Sequence, residues 1–335
     1  MSGRIELLRL LADGALHSGE ELAAKLSISR AAVWKRLQQF EEWGIAVEAR
    51  PGSGYQLESP MDLLDAAAIR ALLPPAATEK LRVLEVHESL DSTSDRLLAA
   101  GDLPPGRFDA CLAEFQSAGR GRRGRRWVAP FGSGLCLSVS WSFRESPATL
   151  GALSLAAGVA ALRALSRLGY SGLALKWPND IVHAHRKLGG LLLQMRSEAS
   201  GPAYVVAGLG LNLRMPPSAR KSLSRLPDAT PVTDLAAACV DGMPARCTVA
   251  ARVATEMLRG FAGFAESGFE SFASDWARFD SLRDAPVTVH RPDGRIQGIA
   301  RGADAEGALR VERAGGGIDR VHAGDVSLRR VGAST

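Results

Sequence analysis

The chain has 335 residues, 46% of them hydrophobic and 23% charged, with a formal net charge of +5. That length allows two or three globular domains, and the charge is too mild to demand a polyanionic partner. The opening Met1-Ser2-Gly3-Arg4-Ile5-Glu6 lacks the basic-then-apolar pattern of a secretory signal. The longest apolar stretch, residues 150–169, carries Arg163 and Arg167 and reads as a buried helix, so no membrane association is expected. Cys111, Cys136, Cys239 and Cys247 show no C-x-x-C spacing, which argues against a zinc or disulfide framework and fits a reducing cytoplasm.

Ile5, Leu7, Leu8, Leu10 and Leu11 predict a first amphipathic helix, and residues 19–26 a second, short one. Ser29 is placed as the N-cap of a third helix running to Trp43, with Val33, Leu37 and Phe40 on its buried stripe and Gly44 as its stop. This is helix-turn-helix spacing. The third helix presents Arg30, Ala31, Trp34, Lys35 and Gln38 away from the core, and residues 46–57 read as a hairpin around Pro51-Gly52-Ser53-Gly54. A winged helix-turn-helix follows, although a protein-interaction module remains open. Residues 1–60 hold seven Lys/Arg against eight Asp/Glu, so DNA binding is expected only from a dimer engaging two half-sites. Residues 58–65 form the linker to the next domain.

In the central segment, residues 83–86 predict a short strand, and Asp91-Ser92-Thr93-Ser94-Asp95 opens a helix that Gly101 closes. Alone, Ser-Thr-Ser is only a helix start. Residues 111–116 predict a strand leading into Gln116-Ser117-Ala118-Gly119-Arg120-Gly121-Arg122-Arg123-Gly124-Arg125-Arg126-Trp127, the most unusual stretch of the chain. Five closely spaced guanidinium groups on a glycine-loosened backbone repel each other until an anion arrives, which makes this a phosphate- or carboxylate-binding loop; a solvated basic loop or nucleic-acid patch is the plainer alternative. Leu135, Leu137, Val139, Trp141 and Phe143 alternate with Cys136, Ser138, Ser140 and Ser142, the pattern of a half-buried antiparallel strand.

Ser146-Pro147 starts a long helix ending near Gly169, and residues 173–182 give two strand-like pieces joined through Pro178. His183 and His185 fit a hairpin tip better than a metal pair. On the returning strand Lys187 precedes two glycines and an apolar run, a setting in which an ammonium needs an anionic partner. Residues 203–212 predict a buried strand whose glycines let a ligand approach the backbone, residues 213–231 a polar loop, and residues 248–266 and 268–279 two helices. Short strands at 287–290, 295–300, 308–312, 318–322 and 326–330, separated by Gly/Asp turns, suggest a small SH3-like or OB-like barrel.

Together these motifs resemble the biotin–protein ligases of the biotin-operon-repressor type over essentially the whole chain. The resemblance rests on the helix-turn-helix stretch and its P-G-S-G-Y-Q-L wing, on D-S-T, G-R-G-R-R-G-R-R-W, K-W-P-N-D and R-K-L-G-G in the family's order, and on the final G-D-V-S-L-R. It implies an α+β multidomain protein: a winged helix-turn-helix (1–65), a biotin/ATP-binding mixed sheet with helices resembling class II aminoacyl-tRNA synthetases (66–281), and an SH3-like C-terminal domain (282–335).

The resemblance implies an enzyme that makes biotinyl-5′-AMP from biotin and ATP, with Mg2+ on the phosphates, and passes biotin to a lysine of the biotin carboxyl carrier protein of acetyl-CoA carboxylase. It also implies a ligand-promoted homodimer that represses biotin-synthesis genes by binding operator DNA. Ser92, Thr93, Ser94, Gln116, Arg120, Gly121, Arg122 and Lys187 then bind biotin, with Arg120, Arg122, Lys187 and Asp180 as the catalytic set and Asp180 as the metal-associated carboxylate. Arg125, Trp127, Asn212 and Arg329 fall to the nucleotide, and Ser29, Arg30, Ala31, Trp34, Lys35 and Arg50 to DNA. The family commonly has asparagine where this chain has Ser94, a shorter hydrogen-bonding group. A lipoate-ligase-like enzyme, a regulator that only senses biotin, and a ligase whose helix-turn-helix no longer binds DNA are the competing readings.

Overall fold

Leu7, Leu8 and Leu11 meet Leu22, Val33 and Leu37 in the buried core of an N-terminal helical unit. Its helices are α1 (Gly3–Leu11), α2 (Gly19–Lys25) and α3 (Arg30–Gln38). The Ser18 and Ser29 hydroxyls cap α2 and α3, accepting from the backbone N–H of Glu21 and Ala32. The computed structural model describes residues 3–101, 103–144, 150–197, 202–216, 219–221, 231–239, 242–291, 294–323 and 327–330, and only the backbone of 150, 197 and 327–330.

The third helix is shorter than the sequence suggests. It stops at Gln38, a 3-10 turn follows at Glu41–Trp43, and Gly44 closes it at φ 69°. Ile45 N–H then returns to the Phe40 carbonyl, so the chain reverses at once into β1 (Val47–Arg50), which pairs antiparallel with β2 (Gly54–Leu57) as the expected wing.

The central segment opens with α4 (Ala66–Leu72) and α5 (Pro75–Lys80), followed by β3 (Leu81–Leu90), longer than the four residues expected. Then come α6 (Thr93–Ala100), β4 (Phe108–Gln116), β5 (Gly134–Phe143), α7 (Leu150–Arg167), β6 (Leu173–Lys176), β7 (Asp180–His183), β8 (Arg186–Ser197) and β9 (Ala203–Asn212). They build a seven-stranded mixed sheet ordered β3-β4-β5-β9-β8-β7-β6, in which β3 and β4 run parallel and the other neighbours antiparallel. Helix α7, with α8 (Arg246–Ser267) and α9 (Glu270–Phe279), covers one face with the main apolar core. Ala184 and His185 take positive φ at the tip between β7 and β8, so His183 and His185 do mark a hairpin turn.

Strand β5 departs from the half-buried expectation, because all ten of its residues are buried. Its odd-numbered apolar side chains enter the main core, while Ser138 meets Thr93 and Ser94 of α6, which covers the other face. The alternation distinguishes core from site rather than core from water. Ser146-Pro147 lies outside the described residues, as does most of 213–231.

The last segment forms an antiparallel five-stranded sheet ordered β13-β12-β11-β10-β14, from β10 (Pro286–Arg291), β11 (Gly294–Ala303), β12 (Leu309–Glu312), β13 (Ile318–Val321) and β14 (Ser327–Arg330). Its core is continuous with the main one, and the Trp177 indole N–H donates to the Gly307 carbonyl at 3.0 Å across the join. Among the described residues no helix is long and apolar enough to cross a membrane.

Candidate active site

Two strands bring glycine to one patch of the sheet face that α6 also meets. Gly190 of β8 lies opposite Gly210 of β9, which lies opposite Cys136 of β5; in the next row Gly208 faces Ser138. Directly paired residues project to the same face, so the missing side chains leave a shallow trough, in which the Trp127 indole settles on Gly210 and Ser94 Oγ on Gly208. From Asp180, paired with Gly190, to Cys136 the row crosses three strand spacings, roughly 14 Å. Such a floor suits an extended ligand lying against backbone.

One end of the trough is a neutral hydrogen-bonding cluster. Ser92 caps α6 and is buried, as are Thr93 and Ser94. The Gln116 carboxamide oxygen accepts from Thr93 N–H at 2.8 Å and from Thr93 Oγ1 at 3.1 Å. Ser138 Oγ stands 2.7 Å from Thr93 Oγ1 and 2.9 Å from Ser94 Oγ. A Cβ at Gly208 would collide with Ser94 Oγ. Hydroxyls and one amide, without a charge, match a ligand group that both donates and accepts.

The other end is charged. Lys187 Nζ donates to Asp180 Oδ1 at 2.6 Å, both side chains being about a quarter exposed (26% and 24%). The ammonium anticipated to need an anion has found one. A Cβ at Gly190 would sit 3.3 Å from Asp180 Oδ1 and 3.5 Å from Lys187 Nζ, so the glycine leaves room for the pair. Arg122 reaches the same region, donating to Asn179 Oδ1 at 3.2 Å and to the Ala323 carbonyl at 2.7 Å, and thereby ties the arginine loop to the segment that follows β13.

The loop is held across its base. Trp127 N–H donates to the Gly119 carbonyl, and Gly121 N–H to that of Arg125 at 2.7 Å. Arg120 pairs with Asp95 of α6 at 2.9 Å, and Arg125 is exposed. The Trp127 indole lies on Gly210, where any side chain would collide with it. Cys136 is beside it, and burial pushes its thiol up to about 11.

Of the remaining candidates, Asn212 is buried and donates to the Thr233 carbonyl at 3.0 Å, fastening the segment that runs beside Lys187. Arg329 lies on β14 opposite Thr288, and its side chain falls outside the described ones. The geometry thus gathers Ser92, Thr93, Ser94 and Gln116 at one end and Arg122, Asp180 and Lys187 at the other, with Arg120 and Gly121 on the loop between. Sequence reasoning did not single out Ser138 or Asn179, whereas Gly208 and Gly210 are the glycines of 203–212 expected to admit a ligand. Asn179 was visible within K-W-P-N-D, whereas Ser138 was hidden in what reads as an outward strand face.

Asp180 alone, neutralised by Lys187, is no cage for a resident metal. A cation held there would have to bring its remaining oxygens with it. Among the described residues Glu85, His87 and Cys111 bring ligand atoms within 4.8 Å of each other, but Arg96 already binds both Glu85 oxygens at 2.9 and 2.8 Å.

On the helix-turn-helix, Ser29, Arg30, Ala31, Trp34, Lys35 and Gln38 are all exposed, Trp34 by 56%. Arg50 projects from the wing and is paired with Glu48 at 3.2 Å.

Comparison with known proteins finds three family models along the chain. Residues 87–212 match the model described as the biotin/lipoate A/B protein ligase family, residues 4–56 an HTH domain, and residues 285–329 the biotin protein ligase C terminal domain. The chain is 37% identical over 326 residues to the bifunctional ligase/repressor BirA of Salmonella typhimurium and to that of Escherichia coli, covering 97% of both partners in each comparison. It is 35% identical over 220 residues to the biotin–[acetyl-CoA-carboxylase] ligase of Mycobacterium tuberculosis, or 64% of this chain and 77% of that one. The biotin protein ligase from Aquifex aeolicus in complex with biotin and ATP superposes with a TM-score of 0.57 at 24% identity, over 75% of this chain and 99% of that one, a likeness of fold.

Proposed function

The chain belongs to the family of the bifunctional ligase/repressors BirA, and from that premise we propose how its own residues perform the work. It is a biotin–protein ligase: the biotin carboxylate attacks the α-phosphate of ATP, pyrophosphate leaves, and a lysine of a biotin carboxyl carrier protein then displaces AMP from the mixed anhydride. The observation that carries this reading is the glycine-floored trough with a neutral hydrogen-bonding cluster at one end and Lys187, Asp180 and Arg122 at the other.

In this reading the ureido ring of biotin exchanges hydrogen bonds with Ser92, Thr93, Ser94, Gln116 and Ser138, and its valeryl chain runs over Gly208 and Gly210 once the Trp127 indole has moved off Gly210. The carboxylate ends at Lys187, whose ammonium turns from Asp180 toward the oxygens of the forming acyl phosphate. Arg120, Gly121 and Arg122 close over that linkage, and Arg125, Trp127, Asn212 and Arg329 attend the nucleotide. Catalysis consists of alignment and charge neutralisation, so no enzyme nucleophile is required. Asp180 would hold Mg2+ arriving with the phosphates, and the ion would supply further neutralisation there.

Boundaries near 65 and 281 divide a winged helix-turn-helix, a class II synthetase-like ligase domain and an SH3-like domain. The exposed face of α3 supports operator binding by a dimer formed when the adenylate orders the loops, as expected of a repressor of biotin synthesis. All of this fits a cytoplasmic protein. The test is transfer of labelled biotin to a purified carrier domain with ATP and Mg2+, repeated without residues 1–65. Label on the carrier lysine supports ligation, while biotin binding with neither label transfer nor pyrophosphate would leave a regulator that only senses biotin.

A further inference from the structure

The helix-turn-helix core is completed by a residue from the ligase domain. Phe131, four positions beyond Trp127, is 1% exposed within the N-terminal cluster, stacks on Trp43 at 4.5 Å and 19°, and donates its N–H to the Trp43 carbonyl at 3.0 Å. The segment that leaves the arginine loop is therefore built into the DNA-reading unit.

A second fastening lies next to it. Arg246, the first residue of α8, is 2% exposed, and its Nη1 meets Glu114 Oε2 at 2.7 Å and the Asp62 carbonyl at 2.6 Å. Its Nη2 donates to the Gly134 carbonyl at 2.7 Å. Asp62, in the linker from the helix-turn-helix, accepts the Arg246 N–H at 2.5 Å and so caps α8, where Ala245 offers no side chain to do it. Glu114 also accepts from Leu64 N–H at 2.5 Å and sits two residues before Gln116. One guanidinium thus holds the linker, the strand that ends at Gln116, and the first residue of β5.

We propose that Arg246 is a positioning residue which, with Phe131, couples the DNA-reading domain to the ligand site, so that ligand occupancy and DNA occupancy influence each other through this joint within one subunit. The proposal rests on the ligase/repressor reading above. Coupling through packed elements is reciprocal: whatever factor the ligand adds to DNA affinity, DNA must add to ligand affinity.

The test uses full-length protein and a single half-site taken from a duplex selected from a random pool by the wild-type chain in the presence of biotin and ATP, so that ligand-promoted dimerisation does not enter the coupling factor. Biotinyl-5′-AMP affinity is measured with and without that half-site. Arg246→Met leaves Glu114 buried without its counter-charge and risks unfolding. Asp62→Ala, at an exposed position, and Phe131→Leu therefore carry the test. We expect a wild-type coupling factor of at least about 5 to fall below about 2 in both variants, while each separate affinity changes by less than about threefold. Full coupling retained in both would make the joint merely structural and overturn the proposal. A wild-type chain that selects no duplex would instead overturn the repressor reading, and the coupling with it.

Discussion

Lys187 Nζ stands 2.6 Å from Asp180 Oδ1, and the space that lets them meet is the absent side chain of Gly190, directly opposite Asp180 in the β7–β8 pairing. Gly190→Ala puts a methyl group 3.3 Å from that oxygen, which pushes the carboxylate aside by a few tenths of an ångström and loosens the pair without disturbing the core. The expected outcome is a fall of about tenfold in biotin-dependent ATP–pyrophosphate exchange, equivalent to about 1.4 kcal/mol of transition-state stabilisation. An unchanged exchange rate would mean that the pair is not part of the chemistry.

Arg122 links the loop to Asn179 and to the Ala323 carbonyl. Arg122→Ala removes both contacts from a partly exposed position, so the melting temperature should move little. Release of preformed biotinyl-5′-AMP should accelerate by about a hundredfold, the loss of two charge-assisted hydrogen bonds at about 1.5 kcal/mol each. Adenylate retained as in the wild type would remove the loop from its assigned role.

Gly208→Ala places a methyl group against Ser94 Oγ and Ser138 Oγ. Because the conflict lies at the neutral end of the trough, KM for biotin should rise about tenfold or more while KM for ATP stays within about twofold. An equal rise in both would put Gly208 outside the biotin pocket.

How much of this was legible beforehand varies with the range of the interaction. The caps at Ser29 and Ser92, the turn at Gly44 and the hairpin tip at His183 depend on neighbours within a few residues, and the sequence expresses them directly. Lys187 was flagged by its own surroundings, and its partner Asp180 is only seven residues away. Ser138 was not, because its role depends on α6 lying over β5, 44 residues from Ser94. The Arg246 fastening joins residues 184 apart, and no local pattern announces it. The third helix was read too long because its periodicity continues past Gln38, whereas the chain turns where Trp43 meets Phe131.

Glu85 is held by Arg96, with His87 also hydrogen-bonded, and these contacts outweigh desolvation to bring its carboxyl from 4.5 down to about 2. The folded pKa is below the unfolded one, so the stabilisation is complete above pH 4.5 and disappears as pH falls toward 2. Since Arg96 is about half exposed (47%), solvent screening reduces the contribution to about 1–2 kcal/mol. Glu85→Gln should accordingly lower stability at pH 7 by that amount and leave it nearly unchanged near pH 2, as measured by urea unfolding at the two pH values. A loss of equal size at both would assign the effect to packing.

Cys136 reports on the seat of the loop without reference to catalysis. Its thiol is 4% exposed, burial pushes it up to about 11, and the Trp127 indole covers the paired Gly210. Near pH 8 the wild-type thiol is therefore both inaccessible and protonated, and alkylation by iodoacetamide should be slow. Trp127→Ala uncovers the Cys136–Gly210 pair and returns the thiol toward its ordinary value, so alkylation should accelerate by at least about tenfold, with peptide mapping separating Cys136 from the other three cysteines. In that variant biotin and ATP should restore protection, because the adenylate would lie across the same trough. Rapid labelling of Cys136 in the wild type would show that Trp127 does not rest on Gly210, and labelling of Trp127→Ala unaffected by biotin and ATP would place the ligand elsewhere.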